Sequence, residues 1–138
     1  MNISKDIFRA YDIRGKYPQQ INEELYSMLG KALGTKILQK SKSKKVAVCM
    51  DGRLSGGTLK ESLINGIIST GVDVIDIGML PTPLLYFSLH NLNIDNGLMV
   101  TGSHNPKDYN FKNLNDKLPP DLNGCYNFPF SKKNDNIF

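Results

Sequence analysis

Long apolar runs, tryptophan and clustered cysteines are all missing from this 138-residue chain. No stretch approaches the roughly 20 consecutive apolar residues that span a bilayer, so a membrane-embedded protein is not expected. The opening residues, MNISKDIFRAYD, hold no apolar segment of signal-peptide length, which argues against export. The 2 cysteines, Cys49 and Cys125, fall short of a disulfide framework, and no Cys/His spacing suits a metal. Reduced thiols in a cytoplasmic protein are the expectation. A G-x-S-x-G nucleophile elbow is also missing, which weakens any hydrolase reading.

The composition that remains, 40% hydrophobic and 22% charged, is that of one globular domain rather than a disordered chain. A formal net charge of +4 raises the question of nucleic acid. Much of it lies in the run KILQKSKSKK, which holds Lys36, Lys40, Lys42, Lys44 and Lys45. That run has no interleaved aromatics for base stacking and joins a helical pattern to a strand pattern. It reads as a solvated connection, and no nucleic-acid partner is expected.

Hydrophobic periodicity alternates between helix and strand. From Asn22 to Gln39, residues Leu25, Leu29, Ala32, Leu33 and Ile37 form one helical stripe, with Asn22 as N-cap and Glu23 and Glu24 at the positive end of the helix dipole. KVAVCM reads as a buried strand. RLSGGTLKESLINGIISTG reads as a loop and a second helix, with Leu59, Leu63, Ile64, Ile67 and Ile68 facing inward, Ser55 as its N-cap and Gly71 as its stop. VDVIDIGM, LPTPLLYFSLHNL and NGLMVTG follow as a strand, a short helix containing a structural His90, and a third strand. The expected fold is a three-layer α/β domain, with helices on both faces of a largely parallel or mixed central sheet. Ligands of such sheets gather at the carboxyl ends of the strands. From about residue 115 to 138 the chain is rich in Asn, Asp, Lys and Pro without either periodicity, and an irregular tail is expected there.

One short run stands at the carboxyl end of the third strand: Thr101-Gly102-Ser103-His104-Asn105-Pro106. On residue pattern alone Ser103 is open between two roles. Asn105-Pro106 makes a turn, and polar side chains can simply tie down backbone where a strand ends. A hydroxyl beside an imidazole is also the recipe for an activated nucleophile, although neighbours on a strand point to opposite faces. Asp51-Gly52-Arg53 reads as a plain turn ahead of the second helix.

FRAYDIRG (8–15), DGRLSGG (51–57) and MVTGSHNPKDYNFK (99–112) taken together resemble the first domain of the α-D-phosphohexomutases. The likeness covers roughly residues 5 to 112 and is strongest to the bacterial phosphomannomutase/phosphoglucomutase branch. It implies that Ser103 is the phosphoserine that exchanges a phosphoryl group with a hexose phosphate, moving phosphate between the C6 and C1 oxygens. By the same resemblance Arg14 lies near the transferring group, where a planar guanidinium suits phosphate oxygens. Lys112 supports proton transfer or phosphate charge, His104 and Asn105 shape the loop with His104 contacting phosphate, and Tyr11 walls the cleft. The family uses Mg2+, with phosphoserine oxygens of the Ser103 position among its ligands, and a hexose 1,6-bisphosphate activator.

Two departures accompany the likeness. Where the family has N-G-F-K, this chain reads Tyr109-Asn110-Phe111-Lys112, and the missing glycine displaces Lys112 by up to about 3.5 Å. The family's Asp-Gly-Asp-x-Asp metal loop and its sugar- and phosphate-binding loops belong to three further domains, and none is present in these residues. Asp51-Gly52-Arg53 supplies only one carboxylate and does not replace the metal loop. The abrupt change after Lys112 suggests a frameshift, truncation or decayed copy, with residues 1–114 forming an incomplete first domain. The chain alone is then expected to be inactive and not to hold Mg2+ or activator stably. The alternative is a non-catalytic remnant that binds sugar phosphate, self-associates or docks on other mutase domains.

Overall fold

The computed structural model describes residues 3–8, 13–102 and Cys125–Asn127. An N-terminal segment, with a single 3₁₀ turn at Lys5–Ile7 and a bridge between Phe8 and Ile13, leads into α1 (Glu23–Lys40). Then follow β1 (Lys45–Met50), α2 (Gly56–Ile68), β2 (Asp73–Met79), α3 (Thr82–Leu92), β3 (Asn96–Thr101) and β4 (Cys125–Asn127).

Sheet order is β2-β1-β3-β4, with β1 parallel to both β2 and β3 and with β4 antiparallel to β3. Along β1 the side chains alternate between two apolar layers, as a strand buried on both faces requires. Val46 and Val48 join Leu98 and Val100 against Leu25, Leu33 and Ile37 of α1 and Leu59, Leu63 and Ile67 of α2. Ala47 and Cys49 face the opposite way, onto Leu85 and Leu89 of α3 with Met99. The result is the expected three-layer α/β sandwich, two helices on one face and one on the other.

Local chemistry sets the helix ends. Asn22 Oδ1 accepts from the Leu25 N–H at 2.9 Å, the capping bond expected from the sequence. At the other end of α1, Lys44 Nζ donates to the carbonyls of Leu38 and Ser41 at 2.6 and 2.8 Å. Part of the basic run therefore satisfies orphan helix carbonyls and sits favourably at the negative end of the dipole. Gly71 ends the turn after α2 with φ +91°, as its place in the sequence suggested.

Three expectations need correction. Ala32 and Ile68 are exposed, not inward-facing, because α1 and α2 meet through glycines. The buried stripe of α1 runs through Tyr26, Gly30, Leu33, Gly34 and Ile37. A Cβ on Gly30 would strike the Leu63 carbonyl oxygen, and one on Gly66 would strike the Ser27 carbonyl oxygen. Ser55 holds the N-cap position of α2, but its backbone is helical (φ −78°, ψ −9°) and its hydroxyl makes no capping bond. The extended backbone that aims a capping side chain at the first free N–H groups is absent there. Finally, the tail read as irregular contains β4, which pairs Cys125 with Thr101 and Tyr126 with Val100.

Candidate functional site

The direction of the chain determines which ends of the elements meet. Helix α1 feeds β1 and α2 follows it, so both helix N-termini lie at the carboxyl edge of the parallel strands. Thr58, in the first turn of α2, lies in reach of both Tyr17 and Glu23 at the start of α1. Tyr17 donates its hydroxyl to Glu23 at 2.7 Å. That bond pushes the Tyr17 hydroxyl up and holds the Glu23 carboxyl below its ordinary value.

The chain leaves β1 for β2 through α2 on one face. It then passes β1 again to reach β3 through α3 on the other face. The winding direction thus reverses between β1 and β3, and their carboxyl ends flank the crevice where open α/β sheets bind ligands. Asp51 and Gly102 occupy those two ends.

Asp51 is the centre of the arrangement. Its N–H donates to the Val100 carbonyl at 3.0 Å, extending the β1–β3 ladder by one residue. Its Oδ2 accepts from Thr101 Oγ1 at 2.9 Å and from the Gly102 N–H at 2.7 Å. Its Oδ1 accepts from the Arg53 N–H at 3.2 Å, and Arg53 Nε lies 3.4 Å from Oδ2. The Arg53 side chain is only 10% exposed and that of Asp51 27%, so the pair is sheltered from water. A Cβ added to Gly102 would meet the Arg53 guanidinium, so a larger residue there would displace that side chain from beside Asp51. The sequence reading of Asp51-Gly52-Arg53 as a plain turn missed this. Its Asx-type bond to Arg53 N is local, but the partners that matter are 50 and 51 residues away. The signal available was the placement of DGR and TGS at the ends of two adjacent strands.

Of the expected site residues, Arg14 is described and is exposed. Its N–H donates to the Ile7 carbonyl at 2.8 Å, between buried Ile13 and Gly15, on the segment that enters α1 at the same carboxyl edge. Tyr11, Ser103, His104, Asn105 and Lys112 lie outside the described residues. Thr101 and Gly102, the two residues before Ser103, are described. Cys49 is buried in β1 with its thiol pushed up to about 11 by desolvation, which makes it a poor nucleophile.

The described residues do not fit a Mg2+ site. None of their His, Cys, Asp and Glu side chains group in threes suited to a metal. Both oxygens of Asp51 are already engaged by hydrogen-bond donors and a guanidinium. No helix among the described residues is long and apolar enough to cross a membrane.

Fold and site together define a doubly wound α/β domain in which Asp51 ties Thr101 and Gly102 at the switch point. The chain belongs to the phosphoglucomutase/phosphomannomutase family, as its alpha/beta/alpha domain I, whose family model matches residues 5–120. That match runs past Lys112, where the resemblance read from motifs ended. A phosphoglucomutase of Neisseria meningitidis serogroup B is 43% identical over 109 residues, 79% of this chain and 24% of that protein. A phosphomannomutase/phosphoglucomutase of Pseudomonas aeruginosa PAO1 is 47% identical over 104 residues, 75% of this chain and 22% of that protein. Among solved structures, a phosphoglucomutase/phosphomannomutase family protein from Burkholderia thailandensis superposes with a TM-score of 0.73 at 36% identity. That superposition covers 92% of this chain and 27% of the other. The chain thus spans about a quarter of the length of the relatives it matches.

Proposed function

We propose that this chain is the catalytic-serine domain of a phosphohexomutase of the phosphomannomutase/phosphoglucomutase type. The observation that carries the reading is the Asp51 tether: the two residues preceding Ser103 are held at the switch-point edge by one carboxylate. Membership of the family and the T-G-S-H-N-P run support it.

In this reading Ser103 Oγ attacks a phosphorus of a hexose 1,6-bisphosphate. The Oγ–P bond forms as the bond from phosphorus to the sugar oxygen breaks, and the serine proton ends on the released sugar hydroxyl. In the preceding step the phosphoserine gives its phosphoryl group to the free hydroxyl of a hexose monophosphate, the sugar O–P bond forming as the Oγ–P bond breaks. That bisphosphate turns over, so the phosphate Ser103 then takes is the other one. Catalysis of such a loose transfer is chiefly positioning and charge stabilisation. Arg14 supplies a permanent positive charge, Lys112 a proton or charge, and His104 and Asn105 the loop's shape. Tyr11 forms part of the cleft wall. Mg2+ serves the family's reaction by neutralising phosphoryl charge, and the described residues of this chain supply no such site.

The substrates are hexose phosphates, the location is the cytoplasm, and further mutase domains complete the cleft. Leu54 at 91%, Phe87 at 63% and Met79 at 58% exposure are the kind of apolar surface that another domain covers. These 138 residues alone then give no turnover of glucose 1-phosphate or mannose 1-phosphate, even with saturating Mg2+ and bisphosphate. A mixture with the remaining domains of a relative tests the assignment. Recovered turnover should vanish with Ser103→Ala, and turnover that persists in that variant would refute the role of the serine.

A further inference from the structure

Thr101 and Gly102 run directly into Ser103, and a single carboxylate holds both. Asp51 Oδ2 takes the Thr101 hydroxyl at 2.9 Å and the Gly102 N–H at 2.7 Å. A local turn at 51–53 would need only the bond from Asp51 Oδ1 to the Arg53 N–H at 3.2 Å. The two bonds to β3 go beyond that need and set the direction of the main chain as it leaves the sheet. Charge-assisted bonds from N–H to carboxylate are short and strong, so they constrain as well as attract.

Arg53 adds a second constraint. Its guanidinium fills the space beside Gly102 where a side chain would otherwise project. It also contacts Asp51 Oδ2 through Nε at 3.4 Å, with only 10% of its side chain exposed. Ser103 is the next residue in the chain, its Cα about 3.8 Å from that of Gly102. A phosphoserine brings a charge of about −1.5 to −2. The guanidinium paired with Asp51 removes the net negative charge that a lone carboxylate would leave beside Gly102.

We propose that Asp51 and Arg53 are positioning residues for the phosphoryl-carrying serine. Asp51 fixes the main chain at Thr101 and Gly102, immediately before Ser103, and Arg53 both locks Asp51 in place and neutralises its charge. The proposal rests on the reading of Ser103 as phosphoryl carrier.

The test uses the full 138-residue chain, wild type and the variants Asp51→Asn, Arg53→Gln and Arg53→Lys, with glucose 1,6-bisphosphate as phosphoryl donor. One readout is the Gly102 amide proton in a nitrogen–proton correlation spectrum. It should lie downfield in wild type and move upfield in Asp51→Asn, while resonances of α3 stay in place. The other is the rate of phosphate incorporation at Ser103 by mass spectrometry. Asp51→Asn and Arg53→Gln should each slow it at least tenfold, and Arg53→Lys should recover most of the loss in Arg53→Gln. A purely structural arginine gives no such charge-dependent rescue.

Wild-type chain that takes no phosphate at Ser103 overturns the underlying reading and the proposal with it. Labelled wild type with unchanged rates in folded Asp51→Asn and Arg53→Gln overturns the proposal alone. Should Asp51→Asn lose its cooperative melting transition, the arginine pair decides, and equal rates for the Gln and Lys variants overturn it.

Discussion

Gly30→Ala should destabilise the domain although alanine is the better helix former. Replacing an interior helical glycine by alanine ordinarily gains about 1 kcal/mol. Here the new methyl would meet the Leu63 carbonyl oxygen and lie 3.0 Å from both Gly66 Cα and Ile67 N. All three are backbone atoms of α2, so no side chain can swing aside and the helices must part. Overpacking of this kind costs about 1–3 kcal/mol, and separation also loosens Leu33 and Ile37 against Leu63 and Ile67. Taking the upper end of that cost against the propensity gain leaves about 2 kcal/mol of net destabilisation. For a chain of this length, between the smaller and larger domain classes, that lowers Tm by roughly 8 °C. Gly57→Ala is the internal control: it lies in the first turn of α2 with nothing within 4 Å of the added Cβ. It should be neutral or gain about 0.5 kcal/mol. Thermal melts followed by circular dichroism compare the two. A Gly30→Ala protein as stable as wild type would refute the claim that backbone contact sets the spacing of α1 and α2.

Further outcomes follow from other contacts. Lys60 is nearly buried and bonds Asp76 at 2.7 and 2.8 Å, while Asp76 is about half exposed. Asp76→Ala strands a buried ammonium and should cost more in urea melts than Lys60→Met, which leaves a carboxylate that water can solvate. Burial pushes the Asp76 carboxyl up, but Lys60 and the Gly78 N–H outweigh it, so the folded value is lowered. Its stabilisation is therefore present above the unfolded value of about 3.9 and lost as pH falls through the folded value. The difference between wild type and Asp76→Asn should accordingly shrink below about pH 4. Asn96→Ala orphans acceptors on Ser41, Ser43 and Lys45 at the amino ends of β1 and β3, and should cost about 1–3 kcal/mol. Cys49, with a thiol near 11, should resist a disulfide reagent at pH 8 until the protein unfolds.

The three parallel strands were legible because KVAVCM, VDVIDIGM and NGLMVTG are apolar runs bounded by lysine, aspartate or glycine. The start of α1 was legible because Asn22 and its acidic neighbours form a local capping signal. The inward face of α1 was misjudged at Ala32 because periodicity counts apolar side chains, whereas this interface is made by Gly30, Gly34 and Gly66. Ile68 was misjudged for the same reason, since the helix rotation follows the glycines. Three residues of β4 carry no alternation to recognise and are held by pairing with β3. In the site, the T-G-S-H-N-P run was legible as a family motif, while on residue pattern alone the role of Ser103 stayed open. The tether at Asp51 was not legible, because it exists only once β1 and β3 lie side by side.

The central claim is that Ser103 carries a phosphoryl group. The most direct measurement is intact-mass and peptide mass spectrometry after incubating the 138-residue chain with glucose 1,6-bisphosphate. Without the family's metal loop the transfer keeps only part of its charge neutralisation, so labelling should be slow and partial. The account predicts one phosphate, located at Ser103 and absent from a folded Ser103→Ala variant. Phosphate on other serines, or equal labelling of Ser103→Ala, would contradict it and leave Ser103 as a polar residue at the end of a strand.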